Sequence, residues 1–165
     1  MSIFEIVLFA VICGYAVAQK SVIDIEKVEV SNNENPVFGE WSATLIDGNP
    51  HKLRFKFPIK DSVPDTMMMN IQLKMNGDEV ASEEVTMCEA ISDEMIAKGL
   101  LEKSDPRPGD CPIQKIGWEV KDYVPKVDNQ LPDGKLDGKV MVYDSGNKDN
   151  PYITATFSGT IRNGL

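Results

Sequence analysis

Apolar and polar residues alternate with a period of two over most of this chain, the signature of half-buried β-strands. Val22, Ile25, Val28 and Val30 form a loose first strand, and Trp41 to Ile46 a second, ended by the turn Asp47-Gly48-Asn49-Pro50. Leu53, Phe55 and Phe57 alternate with Lys52, Arg54 and Lys56, giving one dry and one basic face. Met67, Met69, Ile71, Leu73 and Met75 alternate with Met68, Asn70, Gln72 and Lys74; Asn76-Gly77-Asp78 then reads as a hairpin turn. Val80, Val85 and Met87 continue on the return strand. After residue 115, Ile116, Trp118 and Val120 restore the alternation. Leu136, Val140 and Val142 follow, with Met141 and Tyr143 on the other face, and Ile153, Ala155, Phe157 and Ile161 close the chain against Tyr152, Thr154, Thr156 and Thr160. One segment breaks the period. Glu89 to Lys103 places Ile91, Met95, Ile96, Leu100 and Leu101 at helical spacing, with Ser92 and Asp93 as candidate caps and Gly99 near the end. About eight strands and one short helix predict an all-β, antiparallel two-sheet sandwich or cup.

The start of the chain changes the compartment. Ile6 to Ile12 is apolar and leads into Ala16-Val17-Ala18, a small-x-small cleavage signature, so residues 1–18 read as a cleaved signal peptide and 19–165 as a single domain. The n-region lacks Lys and Arg and carries Glu5; the competing reading is an uncleaved anchor. No second apolar stretch approaches membrane-spanning length. The expected location is secreted and extracellular. The net charge of −9 becomes −8 over the 147 residues left after cleavage. That surface disfavours nucleic acid and anionic membranes as primary partners. Cys13 leaves with the signal, and Cys88 and Cys111 remain; in an exported chain they are expected to pair. Two free thiols are the other arrangement. Zinc would need ligands that one histidine and no CxxC cannot complete.

Catalytic raw material is thin. His51, the single histidine, sits between Pro50 and Lys52 and reads as a surface turn residue. There is no G-x-S-x-G elbow and no Gly-rich phosphate loop. Asp128-Asn129, Asp133-Gly134, Asp137-Gly138 and Asp144 to Asn150 offer oxygen donors, but none has EF-hand spacing, and they read as plain turns. No enzyme activity, cofactor or metal is expected. The unusual feature is methionine: Met67, Met68, Met69, Met75, Met87, Met95 and Met141, a soft side chain suited to core gaps and to surfaces that accept varied apolar partners.

The order of several short motifs carries a resemblance. Val85-Thr-Met-Cys88 is followed by the helix-like stretch, Gly109-Asp-Cys-Pro-Ile113, Lys121-Asp-Tyr123, the run from Leu131 to Tyr143-Asp144, and the last strand from Tyr152 to Ile161. Over Val85 to Ile161 this resembles the ML lipid-recognition superfamily, in particular its ganglioside-activator-like and insect chemosensory-type secreted members. The resemblance implies a sandwich whose sheets splay around a lipid, with no chemistry of its own. Its ligands would be sterols, fatty acids or glycolipid tails. The chain departs from members with three or four disulfides, which leaves the ligand class open.

The expected function is therefore a secreted carrier or presenter of a lipid or other small apolar ligand. A ligand-free adhesion or signalling sandwich with a filled core is the alternative, and a secreted hydrolase a distant third. The cavity is placed between the sheets, lined by Phe55, Phe57, Met67, Met69, Ile71, Leu73, Trp118, Val140, Val142 and Phe157, with Ile91, Met95 and Ile96 at its rim. A one-residue register error would exchange the faces.

Overall fold

The computed structural model describes residues 21–93, 98–127 and 131–163. Residues 1–18, read from the sequence as a signal peptide, Met95 and Ile96, expected at the rim, and Asp128-Asn129, expected as a turn, lie outside them. Strands β1 (Ser21–Asn32), β2 (Ser42–Ile46), β3 (Lys52–Ile59), β4 (Met67–Met75), β5 (Asp78–Thr86), β7 (Ile116–Tyr123), β9 (Gly134–Asp144) and β10 (Ile153–Asn163) are the eight that alternation predicts. Two-residue strands β6 (Ser104–Asp105) and β8 (Lys126–Val127) are added at sheet edges. They build two antiparallel sheets in the order β5-β4-β9-β10-β1-β8 and β2-β3-β7-β6. The β4–β5 hairpin turns through Asn76 and Gly77, both at positive φ (53° and 95°), which two-residue hairpin loops demand. Asp137-Gly138, read from the sequence as an acidic turn, instead lies inside β9, opposite Ser158 and Phe157 of β10.

The helical segment also differs from the expectation. It contains two short pieces, α1 (Met87–Ser92) and α2 (Lys98–Glu102), rather than one helix from Glu89 to Lys103. Met87 is the first helical residue, 1% exposed, and not the end of a strand. The cap is Thr86: its hydroxyl accepts the Glu89 N–H at 3.1 Å while the Glu89 carboxylate accepts the Thr86 N–H at 2.8 Å. This capping box satisfies two donors that a helix start leaves open. Asp93, expected at the start, ends α1, its N–H reaching the Glu89 carbonyl at 2.9 Å. Cys88 therefore sits within α1, and it is bonded to Cys111 across a Cα separation of 5.9 Å. Closing a loop of this size is worth roughly 3 kcal/mol in chain-entropy terms.

One charged cluster fastens the sheets together. Asp24 of β1 is 5% exposed. Its Oδ1 accepts the His51 backbone N–H at 2.9 Å and lies 2.8 Å from His51 Nδ1; its Oδ2 meets Arg162 of β10 at 3.3 Å. His51 is thus half-buried and engaged, not a free surface turn residue. It ties the β2–β3 turn of the smaller sheet to β1 of the larger. Burial alone pushes the Asp24 carboxyl up. The His51 N–H and ring and the Arg162 guanidinium outweigh that and hold it below the ordinary carboxylate value. A depressed carboxyl pKa means that the unfolded chain takes up the proton first. The stability it contributes is complete above the unfolded value of about 3.9 and is lost as pH falls through the folded one. Asp24→Asn should cost about 1–3 kcal/mol at pH 7 and flatten the acid limb of the stability curve below pH 4. Urea unfolding at a series of pH values measures both.

Candidate functional site

The inner faces follow from register. Met69 pairs with Val142, Ile71 with Val140 and Leu73 with Gly138; across β9, Val140 pairs with Ala155 and Gly138 with Phe157. These residues share one face of the larger sheet. In the smaller sheet Phe55 pairs with Val120 and Phe57 with Trp118. The parity expected from Met67 and Met69 is the one that faces the opposing sheet, since Met67 packs with Ile59 and Phe57 in one apolar cluster.

The core between the sheets is not continuous. One cluster gathers Phe38, Trp41, Ile59, Met67, Val142 and Ile153 at one end of the strands, with the half-buried Phe57, Met69 and Ile91 against it. A second gathers Ile23, Ile25, Leu53, Leu136 and Ile161 at the other end, with Phe55, Met75 and Phe157 against it. Ile71, Leu73 and Val140, on the inner face midway between them, are only half-buried and pack into neither cluster. A filled sandwich brings its inner faces about 10 Å apart and buries such mid-sheet side chains. Each end is closed by a cluster, and the band of half-buried apolar residues between them forms a waist in the packing.

The expected lining divides accordingly. Phe55, Phe57, Met69, Ile71, Leu73, Val140 and Phe157 keep accessible surface. Met67, Val142 and Trp118 share the inner face but are 1%, 0% and 6% exposed and belong to the closed packing. Ile91, in α1, is half-buried and splits its contacts. It packs against the first cluster and also lines an outside groove of about 450 Å³ beside the disulfide, with Leu101, Arg107, Pro108 and Cys111.

Phe157, beside the waist, packs within its own sheet. A Cβ built on Gly138 would fall 2.0 Å from the far carbon of the Phe157 ring and within 2.5 Å of two more. The ring therefore lies flat over the neighbouring strand of its own sheet, and only the missing glycine side chain permits it. Ring bulk that would otherwise reach toward the opposite sheet is folded away.

Aromatic rings line the smaller sheet. Phe55 stacks on Phe57 with centroids 5.5 Å apart. Phe57 in turn touches Trp41 at 4.8 Å and Trp118 at 5.2 Å, and Phe38 touches Trp41 at 5.2 Å. Trp41 is held by Asn32 of the larger sheet, whose side chain accepts the Trp41 N–H at 2.8 Å and donates to its carbonyl at 2.9 Å. Tyr123, 6.2 Å from Phe55, ends the row, and burial pushes its phenol up, so it stays neutral.

The sheets approach most closely along β1 and β2. On the opposite side α1 rests on β4 and β5 of the larger sheet while α2 rests on β7 of the smaller, Gly99 lying against the Tyr123 ring. Both helical pieces of the segment that the disulfide tethers thus lie on the side away from the seam. The helical spacing found it; its two-piece form and its cap were missed, although Thr86-Met87-Cys88-Glu89 carries the T-x-x-E signal of a capping box. His51, the single histidine, is engaged with Asp24 at the end of the strands, 2.8 Å from its carboxylate. Among the described residues no group of three or more His, Cys, Asp and Glu is placed to hold a metal ion, and no helix is long and apolar enough to cross a membrane. Comparison of the chain with protein-family models and with curated proteins returned no match.

Proposed function

We propose that this protein is a secreted, non-enzymatic carrier that holds a lipid or other small apolar ligand in the waist between its two sheets. The carrying observation is the band of half-buried inner-face residues, Ile71, Leu73 and Val140, that neither core cluster fills. The flattened Phe157 ring, the disulfide-tethered segment opposite the β1–β2 seam, and the motif order resembling the ML lipid-recognition superfamily support the same reading. Binding rests on apolar burial. Each methylene moved from water into the waist contributes about 0.8 kcal/mol, so ten would gross about 8 kcal/mol before the cost of ordering the chain.

Native mass spectrometry of protein purified from a secretory host tests this reading. Co-purified lipid should appear as discrete adducts, and N-phenyl-1-naphthylamine should bind with a stoichiometry near one and be displaced by long-chain ligands. Absence of both adduct and probe binding would favour the ligand-free sandwich instead.

A further inference from the structure

The waist is apolar, yet two hydrogen-bond donors at its edge have no acceptor. Trp41 and Trp118 are 7% and 6% exposed, and the Nε1 atom of each is buried without a hydrogen-bond partner. Both indoles touch the same half-buried ring, Phe57. An indole N–H can only donate, and leaving it buried and unmatched is unfavourable. Elsewhere at this end of the sandwich the demand is met: Asn35 Oδ1 takes the N–H groups of Val37 and Phe38 at 3.1 and 2.6 Å, and Asn32 serves the Trp41 backbone. Asn70 Oδ1, Tyr143 Oη and Asp144 Oδ1 are also buried without a partner, but they belong to the larger sheet; the two indole donors are those that flank Phe57, the aromatic ring of the smaller sheet that borders the waist.

We infer that the ligand carries a neutral carbonyl oxygen, as in a long-chain ketone, aldehyde or ester, and that this oxygen is received by Nε1 of Trp41 or Trp118 once Phe57 turns aside. The inference rests on the carrier reading and names the ligand class for that site. The chemistry narrows the class from three sides. A pure hydrocarbon leaves both donors unmatched. A carboxylate would meet no buried cation, for the buried polar and charged residues among those described are Ser21, Asp24, Asn35 and Asn70, and Lys60, whose ammonium donates to the Asn35 carbonyl at 2.7 Å, is an exposed residue. An alcohol can accept from an indole but brings its own O–H, and Asn35 Oδ1 is already committed to two backbone donors; the buried oxygens without a partner, Asn70 Oδ1 and Asp144 Oδ1, stand on β4 and β9 of the larger sheet, whereas the indoles flank Phe57 of the smaller one. A carbonyl oxygen accepts and asks for nothing in return. Phe57 is the movable element because it contacts both indoles, while Trp41 is fixed by its two bonds to Asn32.

The test is competition against N-phenyl-1-naphthylamine by 2-heptadecanone, heptadecane and heptadecanoic acid, which match in chain length and differ in polar group. Wild type should prefer the ketone over the alkane and over the ionised acid by about tenfold, the yield expected of one buried hydrogen bond made rather than missed. Trp41→Phe and Trp118→Phe keep the ring and remove the N–H. At least one should erase the preference, read as the ratio of ketone to alkane competition against the same probe on the same variant. If the probe binds wild type but ketone and alkane compete equally, the inference is overturned and the carrier reading survives. If the probe does not bind at all, both fall. A second measurement needs no variant. The chain has two tryptophans, so a 15N-labelled sample gives two indole resonances. Saturating 2-heptadecanone should move at least one indole proton downfield, and heptadecane should not; unmoved indoles with the ketone bound also overturn it.

Discussion

Gly159→Ala should destabilise the protein by about 3–5 kcal/mol and lower its melting temperature by roughly 10 °C. Gly159 lies in β10 opposite Ile25, next to the point where β1 slips register between Ile25 and Lys27. A Cβ on Gly159 would stand 2.1 Å from the Asp24 carbonyl oxygen and 2.9 Å from Ile25 Cα. Both are backbone atoms of a paired strand, so no side chain can rotate out of the way. Relief requires moving β1, and with it the Asp24 carboxylate that fastens the β2–β3 turn through His51. Gly117→Ala is the control. It changes the same residue type in a strand, but its Cβ meets nothing within 4 Å, and the variant should melt at or slightly above wild type. Calorimetry of the two variants decides the matter. Equal melting temperatures for Gly159→Ala and wild type would refute the close approach of β1 to β10.

Gly138→Ala should act on binding more than on folding. The atoms its Cβ meets belong to the Phe157 ring, a side chain with a free direction to turn. The ring is expected to swing off β9 into the waist beside Ile71, Leu73 and Val140. Taking the room of about two methylenes removes about 1.6 kcal/mol of burial, so affinity for a long-chain ligand should fall roughly tenfold. Thermal stability should change little, because the displaced ring finds new apolar neighbours. Adding Phe157→Leu to Gly138→Ala should restore most of the affinity. Probe titration with wild type, the single variant and the double variant gives the comparison. Unaltered binding by Gly138→Ala would place the ligand elsewhere.

The amino-acid sequence by itself determined the eight longer strands, the sheet class and which side chains of a strand share a face. These depend on the pleat, a local rule that sends successive residues to opposite sides, and on turn residues such as Asn76-Gly77 that only certain backbones accept. Pairing of Cys88 with Cys111, seen in the structure, is the expectation for the two cysteines that remain if residues 1–18 are removed as a signal. Parity also grouped Met69, Ile71, Leu73, Val140 and Phe157 on one face of the larger sheet and Phe55 and Phe57 on one face of the smaller, as the strand pairings have them. The helix start could have been read as well, since Thr86 and Glu89 stand at capping-box spacing.

Tertiary structure decided the rest, because the deciding neighbours are far apart in sequence. Periodicity does not say that Met67, Val142 and Trp118 are sealed while Ile71 and Val140 remain accessible, for that depends on how far the opposing sheet stands away at each level. Nothing local to Phe157 announces that its ring lies on Gly138, and Asp137-Gly138 reads as a turn until β10 pairs with it. His51 looks like a loop residue until the fold brings Asp24, 27 positions earlier, to 2.8 Å from its ring. The pleat fixes the side to which a residue points. Only the meeting of two sheets fixes what is there to receive it.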